Sequence, residues 1–162
     1  MIPPEIDVLV VQDSPPEVEL TLRPLRDLAP ECRIGVAQDG EEALDYLLAR
    51  GPYRHRLGSP LPRLVLIDLK LPKLDGVEVL RALRASHRTS SAPVVMMVPA
   101  AEPRELAQCY QLGANSCIRK PVAFPAFYET MQSVGRYWLS LNEAPPNVGA
   151  AAGHQPILST PS

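Results

Sequence analysis

Apolar residues in this chain fall into short unbroken runs, separated by segments where they recur every three or four positions. Runs of this kind mark strands inside a sheet, and the recurrence marks helices with one buried face. Five runs predict strands: Asp7–Val11, Arg33–Ala37, Leu64–Asp68, Pro93–Val98 and Ser116–Ile118. The third and fourth are apolar on both faces, as central parallel strands are. Ser14-Pro15-Pro16-Glu17 has the S-x-x-E form of a capping box, with proline at the first helical position. Val18, Leu22, Leu25 and Leu28 then follow at helical spacing, with Pro24 as the place for a bend. Asp39-Gly40-Glu41-Glu42 opens a second helix, carrying Ala43, Leu44, Leu47 and Leu48. Further helices are predicted over Gly76–Ala85, over Arg104–Leu112 with Gly113 as its C-cap, and from Phe124 to about Leu141. Gly51 to Pro62 reads as a Gly-, Pro- and Arg-rich loop, longer than the usual connection of ~2–6 residues.

Five βα units in series imply a doubly wound α/β fold, because right-handed crossovers place helices on both faces of a parallel sheet. The expected form is flavodoxin-like, with strand order 2-1-3-4-5. The domain is expected to span residues 1–141, followed by a Pro/Ala-rich tail over 142–162 with no output domain. In such sheets ligands bind beyond the carboxyl ends of the strands, where strand order reverses.

Composition removes several function classes. A net charge of -2 argues against a nucleic-acid surface. No run approaches the ~20 apolar residues of a membrane span, and the N-terminus has no signal-peptide pattern. Cys32, Cys109 and Cys117 form no C-x-x-C pair and read as free thiols of a cytoplasmic protein. His55, His87 and His154 are scattered and read as solvated. No G-x-G-x-x-G, Walker-type phosphate loop or G-x-S-x-G elbow is present, so a small-molecule enzyme is not expected.

The strand ends carry the chemistry. Gln12-Asp13 follows the first strand, Asp68 ends the third, and Lys120-Pro121 follows the fifth. In the 2-1-3-4-5 order Asp13 and Asp68 share one crevice, and two close carboxylates call for a cation between them. A hard divalent ion such as Mg²⁺ suits oxygen ligands. With a lysine on the same rim, the set fits phosphoryl transfer to a carboxylate. Asp75-Gly76 reads as a turn and helix cap rather than as a ligand.

The stretches "LVVQDSPPEVEL", "LVLIDLKLPKLDGVEVL", "PVVMMV", "LGANSCIRKPV" and "GRYWLS" resemble the receiver domain of two-component response regulators. They are most similar to the single-domain regulators partnered with phytochrome-type histidine kinases. The resemblance covers about Asp7 to Ser140. It implies that Asp68 is the phosphoryl acceptor, that Asp13, Asp68 and the Lys70 carbonyl hold Mg²⁺, and that Lys120 contacts the phosphoryl group. It also implies a cis Lys120–Pro121 bond.

Three positions depart from the pattern. Gln12 stands where receivers carry an acid that holds the metal through water. Val98 replaces a Ser/Thr hydroxyl, and Cys117 replaces a swinging Tyr or Phe. The alternative is therefore a pseudo-receiver, an interaction module of the same fold that works without phosphorylation. Tyr137 and Trp138 fit either packing against the sheet or a partner surface, and a homodimer through the fourth and fifth helices is expected.

Overall fold

The computed structural model describes residues 1–99 and 102–146. Most of the 142–162 tail, from residue 147 on, lies outside the described residues, and so does His154. The strands are β1 (Val8–Val11), β2 (Ile34–Ala37), β3 (Leu64–Asp68), β4 (Val94–Val98) and β5 (Ser116–Arg119). The helices are α1 (Pro15–Leu28), α2 (Gly40–Leu47), α3 (Gly76–Ala85), α4 (Pro103–Gln111) and α5 (Phe124–Arg136). All pairings are parallel, in the order β2-β1-β3-β4-β5, as expected.

Alternation along the strands divides the core into two layers. Leu9, Val11, Val65, Ile67, Met96 and Val98 pack towards α2, α3 and Cys109 of α4. Val8, Val10, Leu64, Leu66, Val95 and Met97 pack towards Leu22 and Leu25 of α1 and Phe127, Met131 and Val134 of α5. Helices α4 and α5 thus lie on opposite faces of the sheet.

Three local expectations need correction. Ser14 makes no side-chain cap, so the capping box does not form. A capping box also needs the Glu17 carboxylate turned back to the Ser14 N–H, and Glu17 faces Lys120 instead, with Oε2 3.7 Å from its ammonium. The last helix does not stay α to its end: after Arg136 it loosens into a π-helical turn, Tyr137–Leu141. The connection after α2 contains a 3-10 helix, Gly51–Arg56, and is anchored by an arginine with no exposed surface. Arg56 donates from Nε to the Pro4 carbonyl at 2.9 Å and from Nη2 to that of Pro60 at 3.2 Å. Its third bond goes to the Tyr46 carbonyl, and the guanidinium lies 3.6 Å over the Tyr46 ring. Gly113 follows α4 with φ +99°, the left-handed stop that the sequence predicted.

Candidate functional site

Strand periodicity assembles the crevice. Val10, Leu66 and Ile118 all belong to the layer beneath α1 and α5. Two residues further along each strand, on the same face, come Gln12, Asp68 and Lys120. Asp68 is 3% exposed and Gln12 2%. The Lys120 ammonium sits 2.8 Å from Asp68 Oδ1, and Gln12 Nε2 donates to the same oxygen at 3.2 Å. Both of these contacts fall on Oδ1. Burial, the largest influence, pushes the Asp68 carboxyl above the ordinary carboxylate range. Lys120 and Gln12 pull it back, and Glu17 adds to the rise.

The Gln12 amide can face Asp68 only through its nitrogen, since two oxygens would repel. Its Oε1 is therefore turned away, and it is buried with no hydrogen-bond partner among the described residues. An orphaned buried acceptor costs about 1–3 kcal/mol. It fits a place where water or a cation's water shell supplies the missing donor. The oxygen-only set of Asp13, Asp68 and Gln12 suits a hard divalent cation. Asp13, one residue past Gln12, is exposed. No group of three or more His, Cys, Asp or Glu side chains among the described residues could hold a metal by itself. The amide at position 12 accounts for part of that shortfall.

Backbone contacts hold these residues in place. Lys120 N donates to the Val98 carbonyl at 2.8 Å, carrying the sheet one residue past β5. Leu69 N donates to the Met97 carbonyl at 3.0 Å and does the same past β3. Asp75 caps α3 by accepting from Glu78 N at 2.9 Å, the cap role read from Asp75-Gly76. Gly76 is needed where it stands, since a Cβ there would lie 2.4 Å from the Asp68 carbonyl oxygen. The Lys120–Pro121 bond is trans, which corrects the expected cis form. X–Pro bonds favour trans by roughly 0.5–1 kcal/mol, and Lys120 reaches Asp68 without the cis geometry.

Other singled-out residues lie apart from this cluster. The Lys70 side chain leaves the crevice and pairs with Glu105 of α4 at 3.7 Å. Val98, 1% exposed, belongs to the layer beneath α2, α3 and α4, and Cys117 packs against that layer too. Trp138 packs against the α1/α5 layer, while Tyr137 beside it is about half exposed, ring centroids 5.0 Å apart. The aromatic pair is thus divided between packing and surface. Burial raises the thiol pKa of Cys32 to about 12 and that of Cys109 to about 11. His55 and His87 are exposed.

The sequence reading missed Glu17 as a member of the rim. Its Oε2 lies 3.7 Å from the Lys120 ammonium. No local signal in the sequence marks this long-range pairing. Gln12, Glu17 and Lys120 also line a cavity of about 310 Å³ with Leu20, Phe124 and Phe127. No helix among the described residues is long and apolar enough to cross a membrane.

Comparison with known proteins agrees with this fold. Residues 8–132 match the family described as response regulator receiver domain. The chain is 37% identical over 139 residues to the probable methanogenesis regulatory protein FilR2 of Methanothrix harundinacea, covering 85% of this chain and 86% of that one. Among solved structures, the Mn²⁺-bound response regulator Rcp1 of Synechocystis matches with a TM-score of 0.80 at 27% identity, covering 88% and 100% of the two chains. The bacteriophytochrome response regulator AtBRR is 42% identical with a TM-score of 0.66, covering 86% and 99%.

Proposed function

Because this chain belongs to the response regulator receiver family, we propose that it accepts a phosphoryl group on Asp68 from a histidine kinase, one of the phytochrome type. Membership makes it a receiver-domain response regulator of two-component signalling, with phytochrome-associated relatives. One observation carries the finer reading: a buried aspartate at a strand end, with a lysine ammonium 2.8 Å from one of its oxygens.

In the transfer, an Asp68 oxygen attacks the phosphorus of a phosphohistidine. The O–P bond forms as the N–P bond breaks, and the imidazole leaves with the bonding pair and takes up a proton. The closest contacts of Lys120 and Gln12 fall on Oδ1, which leaves Asp68 Oδ2 as the natural nucleophile. Lys120 then shifts its charge to the phosphoryl oxygens, as a flexible ammonium can. Asp13, Asp68 and the Lys70 carbonyl would hold Mg²⁺, with Gln12 Oε1 accepting from its water. When bound, that ion offsets repulsion between the carboxylates and the incoming phosphoryl group. Around the mouth, Leu20, Val122 and Phe124 are exposed apolar side chains suited to docking a kinase.

Output follows from what is absent at Val98 and Cys117. A valine cannot donate to a phosphoryl oxygen, and a cysteine has no ring to swing. A ligand shifts an equilibrium only through its differential affinity for the two states. The partner surface is therefore present beforehand. We place it on α4, α5 and the π-helical turn that follows, where Tyr110, Tyr137 and Leu141 stand exposed, with Trp138 behind, and read it as a homodimer face.

Incubation with Mg²⁺ and acetyl phosphate, followed by peptide mass mapping, should find the adduct on Asp68 and none in Asp68→Asn. No adduct under donor excess would favour the pseudo-receiver, a reading that Val98 supports. Ultracentrifugation with and without beryllofluoride should show one unchanged dimer, weakened by Trp138→Ala. A monomer that dimerises only with the mimic would overturn the constant-surface reading.

A further inference from the structure

The S-P-P-E motif at the start of α1 finds no use as a cap, since Ser14 makes no side-chain bond to the helix. Glu17 is instead turned to the crevice, with Oε2 3.7 Å from the same Lys120 ammonium that lies 2.8 Å from Asp68. Lys120 thus sits between two carboxylates, one buried and one half exposed on the rim. Without Glu17, the two aspartates and the lysine leave one uncompensated negative charge at this site. With Glu17 they leave two, as many as a divalent cation neutralises. Gln12 is the position at which a charge is missing, and α1 begins within a few residues of it.

We propose that Glu17 supplies the negative charge that Gln12 lacks, as a positioning residue that acts on the cation and the phosphoryl group through Lys120. The assignment rests on the receiver reading above and adds Glu17 to its set of residues. Glu17 works by charge and not by ligation, in keeping with the lack of any three-acid metal cluster among the described residues. Two effects act in one direction. Glu17 adds attraction for a cation, and it draws Lys120 from Asp68, loosening the ion pair that a cation must displace. Because Glu17 is exposed, both effects should fade as salt screens charges over a Debye length of ~10 Å at 0.1 M.

The test compares the full chain with Glu17→Gln, Glu17→Asp, Gln12→Glu and the double variant Gln12→Glu/Glu17→Gln. Mg²⁺ affinity is read by titration calorimetry at low and high salt, and phosphoryl uptake from acetyl phosphate is measured in parallel. Glu17→Gln should weaken Mg²⁺ binding about 3–10-fold at low salt, an electrostatic effect at high effective dielectric. Glu17→Asp should keep most of the affinity. The double variant should recover it, because the charge has moved back beside Asp13. The loss should shrink at high salt. A helix-start role would not be rescued by a substitution at position 12, so a double variant as weak as Glu17→Gln overturns the proposal. So does a Glu17→Gln variant equal to wild type while wild type binds Mg²⁺ and takes up phosphate. A wild-type chain that binds no Mg²⁺ overturns this proposal together with the metal site it rests on. Wild type that binds Mg²⁺ but takes up no phosphate overturns the phosphoryl reading, and with it Glu17's part towards the phosphoryl group.

Discussion

Two buried charges stand at opposite ends of the sheet and are treated in opposite ways. At the end where β1 and β3 begin, Arg56 has no exposed surface and gives its N–H groups to the carbonyls of Pro4, Tyr46 and Pro60. A second arginine, Arg88, ties the same region from Leu47 to Ser59. Where β1 and β3 end, Asp68 is almost as buried, yet its contacts crowd onto one oxygen and its neighbour Gln12 keeps an orphaned acceptor. A buried polar group with all its partners rigidifies a fold. One without them stores a cost that a ligand can relieve. The first end is built to hold and the second to receive.

The largest expected effect breaks the holding end. Arg56→Ala should lower unfolding stability by about 3 kcal/mol, since several carbonyls lose a charged donor at once. Urea denaturation measures it, and Arg56→Lys should recover little, because an ammonium cannot reproduce the planar fork. Next comes Gly76→Ala, which places a Cβ 2.4 Å from the Asp68 carbonyl. It should cost about 1–3 kcal/mol and abolish phosphoryl uptake, which the Arg56 variants retain while folded. Val98→Thr should cost about 1–2 kcal/mol, because a hydroxyl enters an apolar layer. The smallest effect belongs to the receiving end: in metal-free buffer Gln12→Leu should lie within about 0.5 kcal/mol of wild type. There the lost bond to Asp68 is offset by removal of the orphaned oxygen. A Gln12→Leu variant as unstable as Arg56→Ala would erase the distinction between the two ends.

The sequence made the fold legible because each strand and helix declares itself by period. The order β2-β1-β3-β4-β5 and the meeting of Asp68 with Lys120 follow from that pattern and the receiver-like motifs around them. The missed partners of Arg56 and Glu17 share one cause. Arg56 lies in a stretch whose Gly, Pro and Arg content looks solvated, and only the fold shows Tyr46 beneath it. Glu17 lies in a motif with a good local explanation, which hid its long-range partner 3.7 Å away. The Lys120–Pro121 bond, for which the receiver resemblance implies cis, is trans, a miss of another kind. Local periodicity does not carry side-chain partners that are distant in sequence.

The placement of Trp138 decides what light can report about this molecule. It is the sole tryptophan, and it lies 14 residues along the last helix from Phe124, which lines the crevice cavity. At a rise of 1.5 Å per residue that is roughly 20 Å. Its emission should therefore follow the union of the first and last helices through unfolding, and stay dark to events at Asp68. An optical sensor of cation binding in this protein needs a second indole placed near the crevice.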